Sequence, residues 1–495
     1  MSEKQTYDCA PILLIGFNQP DFMVAQIASE DGGGCAGASG YPNCRTEMVQ
    51  TSEWQLTLIG IIYYNLLVIA EYRKRISDCI LAERLQSIGA VVVEGAKWCG
   101  KTTTCEQIAK SALYMGDPEQ RDQYLMLAET EIGRLLDGDS PRLIDEWQDV
   151  PRFWDAIRHR VDHTDGLGQF VLTGSSVLPE KKRKEIQHSG TGRFSWVKMR
   201  PMTLWESGES TGEVSVRRLF DGEQVKGAKS IDYKLDEMAF LICRGGWPLA
   251  VGRKGMNALR PVRDYYKGVT ESDISRFDNV PRDPERVRHL LRSYARLQGT
   301  QSNLTAIRKD MLAHEARSLS EDTIQSYLKA LRGIFVIEDA SAWSAELRSK
   351  SSVRTTDTRY FTDPSIAAVA LGVLPANLVN DLRTFGLFFE GLALRDLRVY
   401  MDVQDGSVCH YLDKTGLECD AVLQSWNGSY ALVEIKLGGE TLIEEGAATL
   451  NKLADLINAK KMSAPKFRMV LTAKGTFAYT RPDGVVVCPI GCLRE

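Results

Sequence analysis

At 495 residues, with 43% apolar and 25% charged residues, the chain has the composition of an ordinary globular protein and the length for two to four domains. A net charge of −4 excludes a global attraction to nucleic acid, so any surface that grips it has to be a local patch. The eleven cysteines form no C-x-x-C pair and have no histidine partners at zinc-ligand spacing, which argues against a zinc module and for reduced thiols in the cytoplasm.

Residues 1–53 are rich in Gly, Ser and Asn, as in DGGGCAGASGYPN, and their lack of period predicts poor order. The acidic, polar start replaces the basic n-region of a signal peptide. Residues 54–70, WQLTLIGIIYYNLLVIA, carry no charge and precede the basic stretch EYRKR. That length is the lower limit for crossing a bilayer. The stretch therefore reads as a buried or interfacial helix, with a membrane anchor as the rival. Residues 1–70 are expected to be a leader to three domains, at 71–215, 216–345 and 346–495.

The first domain opens on AVVVEGAKWCGKTTT. Ala90 to Val93 suit a central parallel strand, and Thr102 onward has helical spacing. Between them Gly95, Ala96, Lys97, Trp98, Cys99, Gly100, Lys101 and Thr102 fit G-x-x-x-x-G-K-[ST], with Thr103 following. The glycines let backbone N–H groups face phosphate oxygens, Lys101 reaches the outer phosphates, and the Thr102 hydroxyl serves magnesium. A structural glycine turn is the bland alternative, and the strand and helix on either side argue against it. Downstream, PRLIDEW is an apolar strand ending in Asp145 and Glu146. Asp145 would hold magnesium through water, and Glu146 would polarise the attacking water. A third strand, QFVLTGSS, ends in Thr173 and Ser175, hydroxyls placed to sense the γ-phosphate. Arg193 in HSGTGRFSW reads equally as a charge-stabilising arginine or as a surface residue beside the basic run KKRK.

These segments resemble the prokaryotic AAA-type ATPases whose C-terminal half is a domain of unknown function with a PD-(D/E)xK nuclease-like core. The carriers are EGAKWCGKTTT, LIDEWQDVPRFWDAIRHRVD, VLTGSS, TGRFSWVKMRPMTLWE, RGGWP and YYKGVTESDISRF. The likeness covers about residues 72–475 and leaves out the leader. It implies an α/β multidomain chain: a P-loop NTPase parallel sheet, a helical lid with a winged-helix-like connector, and a PD-(D/E)xK-like α/β domain.

In the connector, ERVRHLLRSYARLQG, NLTAIRKDML and EDTIQSYLKALRG have helical spacing, Ser318 and Glu321 suggest a capping box, and FVIEDASAW follows like a wing. The third helix of such a module can read DNA or pack against the ATPase; Lys329 and Arg332 are its only basic residues, so packing is the favoured role. The last domain runs helix, three strands, helix, strand: DLRTFGLFFEGLALRDLRVY, VCHYL, LECDAVLQ, YALVEIK, ETLIEEGAATLNKLADLINAK and FRMVLTA. Asp420 ends an apolar alternation, Glu418 shares its face, and Glu434 lies two residues from Lys436. Asp420 and Glu434 would hold magnesium, Glu390 on the helix would join or orient them, and Lys436 would stabilise developing negative charge. The bland reading of Glu-x-Lys is a surface pair. The expected function is an ATP-binding and hydrolysing ATPase with Mg2+, coupled to a nuclease-like, DNA-binding module, with a homo-oligomer as a further expectation. The alternatives are a nucleotide-dependent switch or scaffold with a degenerate nuclease core, and a membrane-tethered ATPase.

Overall fold

The computed structural model describes residues 13–19, 22–27, 72–164, 166–314, 319–344, 356–459 and 463–495. These fall in two units, 1–72 and 73–495. In the first, β1 (Leu13–Gln19) and β2 (Phe22–Ile27) pair antiparallel. That hairpin departs from the expected lack of order: two short apolar runs separated by Pro20-Asp21 carry a strand–turn–strand signal of their own. The apolar segment 54–70 lies outside the described residues. Among the described residues no helix is long and apolar enough to cross a membrane.

The second unit begins with α1 (Ile76–Ser87), then β3 (Ala90–Gly95), α2 (Lys101–Glu106), β4 (Ser111–Tyr114), β5 (Arg142–Asp145), α3 (Phe153–Asp162), β6 (Phe170–Gly174), α4 (Glu180–Arg183) and β7 (Phe194–Met199). The five strands form one parallel sheet in the order β4-β5-β6-β3-β7. β3 lies inside it because an unbroken apolar run can be buried on both faces. Val91 and Val93 enter the core on one face, Ala90 and Val92 the core on the other.

Next come β8 (Val214–Ser215), β9 (Lys226–Lys229), α5 (Leu235–Arg244) and α6 (Gly255–Gly268). α6 runs on through a π-helical turn, Val269–Asp273, into a short helix, Ile274–Arg276. The expected helices of the connector follow as α7 (Pro284–Arg296), α8 (Leu304–His314) and α9 (Glu321–Gly333). α9 is capped by Ser320, whose hydroxyl accepts from Thr323 N at 3.2 Å. Ser318, expected in that role, lies outside the described residues. Beyond α9, Ile337 bridges Phe361 and Ala340 bridges Thr358, both antiparallel. α9 packs toward the ATPase sheet: Val177 N donates to Gly333 O at 2.9 Å, and Lys329 pairs with Glu180 at 3.3 Å.

The remainder comprises α10 (Pro364–Leu371), α11 (Leu382–Asp402), β10 (Ser407–Leu412), β11 (Glu418–Gln424), β12 (Tyr430–Lys436), α12 (Glu440–Ala459), β13 (Arg468–Thr472), β14 (Phe477–Thr480), β15 (Val485–Pro489) and β16 (Leu493–Arg494). A seven-stranded sheet runs β10-β11-β12-β13-β15-β14-β9, parallel across β12, β13 and β15. β9, from the expected connector, closes its edge, and β8 pairs with β16. One apolar core runs from α1 and β3 through α5 and α7 to α11 and β12, so the three expected modules are fused across it.

RGGWP is a joint in that fusion. Gly246 N donates to Asp363 Oδ2 at 3.0 Å, and a Cβ on Gly246 would lie 2.0 Å from Met202 O, so no side chain fits. Trp247 is 1% exposed and donates from Nε1 to Ser365 Oγ at 3.0 Å. Asp363 also pairs with Arg395 of α11 at 2.8 Å. Burying an aromatic of this size contributes roughly 2–3 kcal/mol, and the partnered N–H avoids the desolvation cost of an orphan donor.

Candidate functional site

The phosphate loop closes between β3 and α2 because its residues tolerate conformations that others avoid. Gly100 has φ 104°, in the left-handed region open to glycine. A Cβ on Gly95 would lie 2.0 Å from Met199 O on β7, so this residue permits the close approach of loop and sheet. Trp98 takes φ 64° and is 55% exposed, its ring 6.3 Å from that of Tyr265 on α6. Ala96 and Cys99 are buried, and Arg75 Nη1 donates to Cys99 O at 2.8 Å. Lys101 is 6% exposed, with Nζ donating to Ala96 O at 3.0 Å. Lys97 pairs with Asp273, on the turn after α6, at 2.7 Å. Thr103 is exposed on α2.

Parallel strands deliver β5 and β6 to the same edge. Asp145 Oδ1 accepts from Thr102 Oγ1 at 2.7 Å and from Thr173 Oγ1 at 2.6 Å. Thr173 Oγ1 in turn accepts from Glu146 N at 3.2 Å. Glu146 has φ 56° and ψ 43°, a left-handed conformation costly for a side-chain-bearing residue and frequent at catalytic positions. Its Oε2 accepts from Ser175 Oγ at 2.9 Å and from Gln148 Nε2. The expected residues Gly95, Lys101, Thr102, Asp145, Glu146, Thr173 and Ser175 thus converge. The hard oxygens of Thr102 and Asp145 suit a magnesium ion, directly or through water.

Arg193 is the exception. Its carbonyl accepts from Ala90 N, and it directly precedes β7, so it stands at the amino edge of the sheet. Five residue steps of strand, about 17 Å, separate the two edges. Its guanidinium instead pairs with Asp162 at 2.6 Å. Within one chain it does not reach the phosphates. The cations that do line the cleft beside Glu146, a space of about 530 Å3, are Lys97, Arg121, Lys182 and Arg276. Arg121 and Arg276 were not marked by the motif. Arg121 follows the motif by a whole strand, and Arg276 comes from an element more than a hundred residues away.

Where α11 meets the C-terminal sheet, Glu390 of the helix comes together with Asp420, Glu434 and Lys436 of the strands. Lys436 Nζ lies 2.6 Å from Glu434 Oε2 and 3.1 Å from Asp420 Oδ2, so the ammonium bridges both carboxylates. Ile435 N donates to the same Asp420 oxygen at 2.7 Å. Burial, then the neighbouring Asp420, pushes the Glu434 carboxyl up to about 8, against the pull of Lys436. Burial and Asp420 likewise raise Glu390 well above the usual carboxylate range, and Glu390 accepts from Tyr360 Oη. Glu418, on the same strand as Asp420, is exposed. Among the described residues no group of three or more His, Cys, Asp or Glu side chains is placed to hold a metal ion. The eight described cysteines are free thiols.

Residues 87–207 match the family model described as an AAA domain. Residues 235–377 and 385–493 match two models described as domains of unknown function, DUF8612 and DUF4143. Comparison with curated proteins finds no match. Among solved structures, a Walker-type ATPase of Pyrococcus abyssi is similar at 14% identity, over 61% of this chain and 97% of that one, with a TM-score of 0.38. The AAA match and the converging phosphate-loop residues support a P-loop ATPase domain on a parallel α/β sheet.

Proposed function

We propose that the chain binds and hydrolyses ATP at the β3–α2 loop and uses the cycle to shift a nucleic-acid-contacting surface built on the connector and the C-terminal domain. The observation that carries this reading is the physical link between the loop and the connector: Lys97 with Asp273, and Trp98 against Tyr265. Lys101 and the loop amides would hold the phosphates, and Thr102 with Asp145 would hold Mg2+, which supplies charge neutralisation when bound. Glu146, fixed by Ser175 and Gln148, would orient the attacking water and take its proton. Arg276 is exposed in the cleft and makes no ion pair among the described residues, so it takes the charge-stabilising role first given to Arg193.

The nucleic-acid part rests on charge. Arg253, Lys254, Arg260, Arg263 and Lys267 on and before α6 are exposed, and among the described residues none forms an ion pair. In a chain of net charge −4 this is the kind of local patch that phosphate backbones require. The expected result is duplex DNA binding that weakens with salt and changes with ATP; equal binding with and without nucleotide would reject the coupling.

The Lys436 bridge favours a second reading of the C-terminal site. An ammonium already paired with Asp420, beside a Glu434 carboxyl whose proton affinity burial has raised, leaves less attraction for a cation, as in a nuclease-like core serving as a switch or scaffold. Calorimetric titration of the full chain with manganese separates the two. A cleaving domain binds in the millimolar range and loses that binding in Asp420→Ala, whereas a scaffold gives the same heat in parent and Asp420→Ala and leaves plasmid DNA uncut.

A further inference from the structure

A second cleft, of about 420 Å3, lies beside the ATPase sheet. Its walls include Trp147, Trp154 and Trp196, and Glu94 lines it at the carboxyl end of β3. Trp154 stacks on Phe194 at 3.8 Å, with Trp147 at 5.3 Å and Trp196 at 6.0 Å from it, so three indoles form one aromatic surface. Trp147 and Trp154 are buried; Trp196 is 50% exposed at the cleft. The cleft has the size and aromatic character of small-molecule sites.

Glu94 is the unusual member. It is half-buried, and among the described residues no hydrogen bond or ion pair reaches its carboxylate. Burial raises its proton affinity, and the nearest opposing charge is Lys198, its neighbour across the β3–β7 register. The Lys198 ammonium is already committed to Glu338 at 2.9 Å. Arg183 and His188 also line the cleft, but both are exposed, where water screens them. A carboxylate left without a partner among indoles calls for a cation, and flat rings favour one that is planar and weakly hydrated. A guanidinium or amidinium meets both demands, because its parallel N–H groups match a carboxylate while its face stacks on indole.

We propose that this cleft binds a small planar cation of the guanidinium or amidinium class, with Glu94 as its anchor and Trp196 as its stacking wall. The site is separate from the phosphate loop but adjoins it. Trp147 directly follows Glu146, and Ser176 lines both clefts.

The test uses benzamidine as probe and neutral benzamide as its isostere, read by tryptophan fluorescence and confirmed by equilibrium dialysis on the full chain. Benzamidine is expected to bind at least tenfold more tightly than benzamide. Glu94→Gln, which keeps the side-chain shape, should erase that preference without changing the thermal midpoint. Trp196→Leu, at an exposed position, should weaken both ligands several-fold. Equal binding of the two probes would mean an aromatic hollow with no cation selectivity and overturn the proposal. So would the absence of benzamidine binding at tens of millimolar, or an unchanged preference in Glu94→Gln.

Discussion

Glu338→Ala should destabilise the 73–495 unit more than any surface change, because it removes the shared anion of a buried cluster. Glu338 lies between α9 and α10 and pairs with Arg200 at 2.8 Å and Lys198 at 2.9 Å, with Arg398 of α11 at 3.9 Å. Arg200 also reaches Asp402 at 2.6 Å, and the Arg200 and Glu338 side chains are 7% and 13% exposed. Removing one member of such a buried pair costs about 3–5 kcal/mol, since the remaining charge stays desolvated. Against a typical stability of about 5–15 kcal/mol this is a large fraction. In urea denaturation the midpoint should fall by about 1 M or more. Burial pushes the Glu338 carboxyl up, but Arg200, Lys198 and Arg398 prevail and hold it well below the usual 4.5. A carboxyl held low stabilises the fold above its unfolded pKa and loses that contribution only as pH falls through the folded value. The gap between parent and variant should therefore be undiminished at pH 6 and 7 and close only in strong acid. A loss below about 1 kcal/mol would refute the reasoning and place the cluster with exposed ion pairs.

Gly95→Ala should abolish ATP binding, because the added Cβ would meet Met199 O at 2.0 Å and push the loop from β7; nucleotide titration showing parent affinity would count against it. His410 is 2% exposed, with Nδ1 3.1 Å from Ala340 O, and burial lowers its pKa below 6.5. The unfolded chain then binds the proton more readily, so stability should drop as pH falls below about 6.5. His410→Gln should flatten that slope in thermal melts between pH 5 and 7, and an unchanged slope would assign it elsewhere.

Much of this was written locally. The phosphate loop, the acidic strand end and the hydroxyl strand end are each contiguous, and parallel strands bring such ends together without further information. YALVEIK appears as β12 at its expected bounds: the WNGS turn sets its start, and its nearly continuous burial suits a strand covered on both faces. Of the two readings open for Arg193, its place favours the surface one within a single chain, and the signal was present: a residue just before a parallel strand lies at the amino edge. The partners of Lys97, Trp98 and Glu338 were not legible, since Asp273, Tyr265 and Arg200 come from segments more than a hundred residues distant. The edge strand β9 was missed for the same reason: KGAK has no strand pattern and is recruited by β14. The Lys436 bridge depends on side-chain direction, which spacing alone leaves open.

The sharpest discrimination comes from Glu146→Gln, assayed for ATP binding and for hydrolysis in the same preparation. Glutamine keeps the shape that Ser175 and Gln148 surround but cannot take a proton from water. Binding should stay within about twofold of the parent while hydrolysis slows about a hundredfold or more. Hydrolysis at the parent rate, with binding intact, would contradict Glu146 as the base and with it the reading of this edge as the catalytic site.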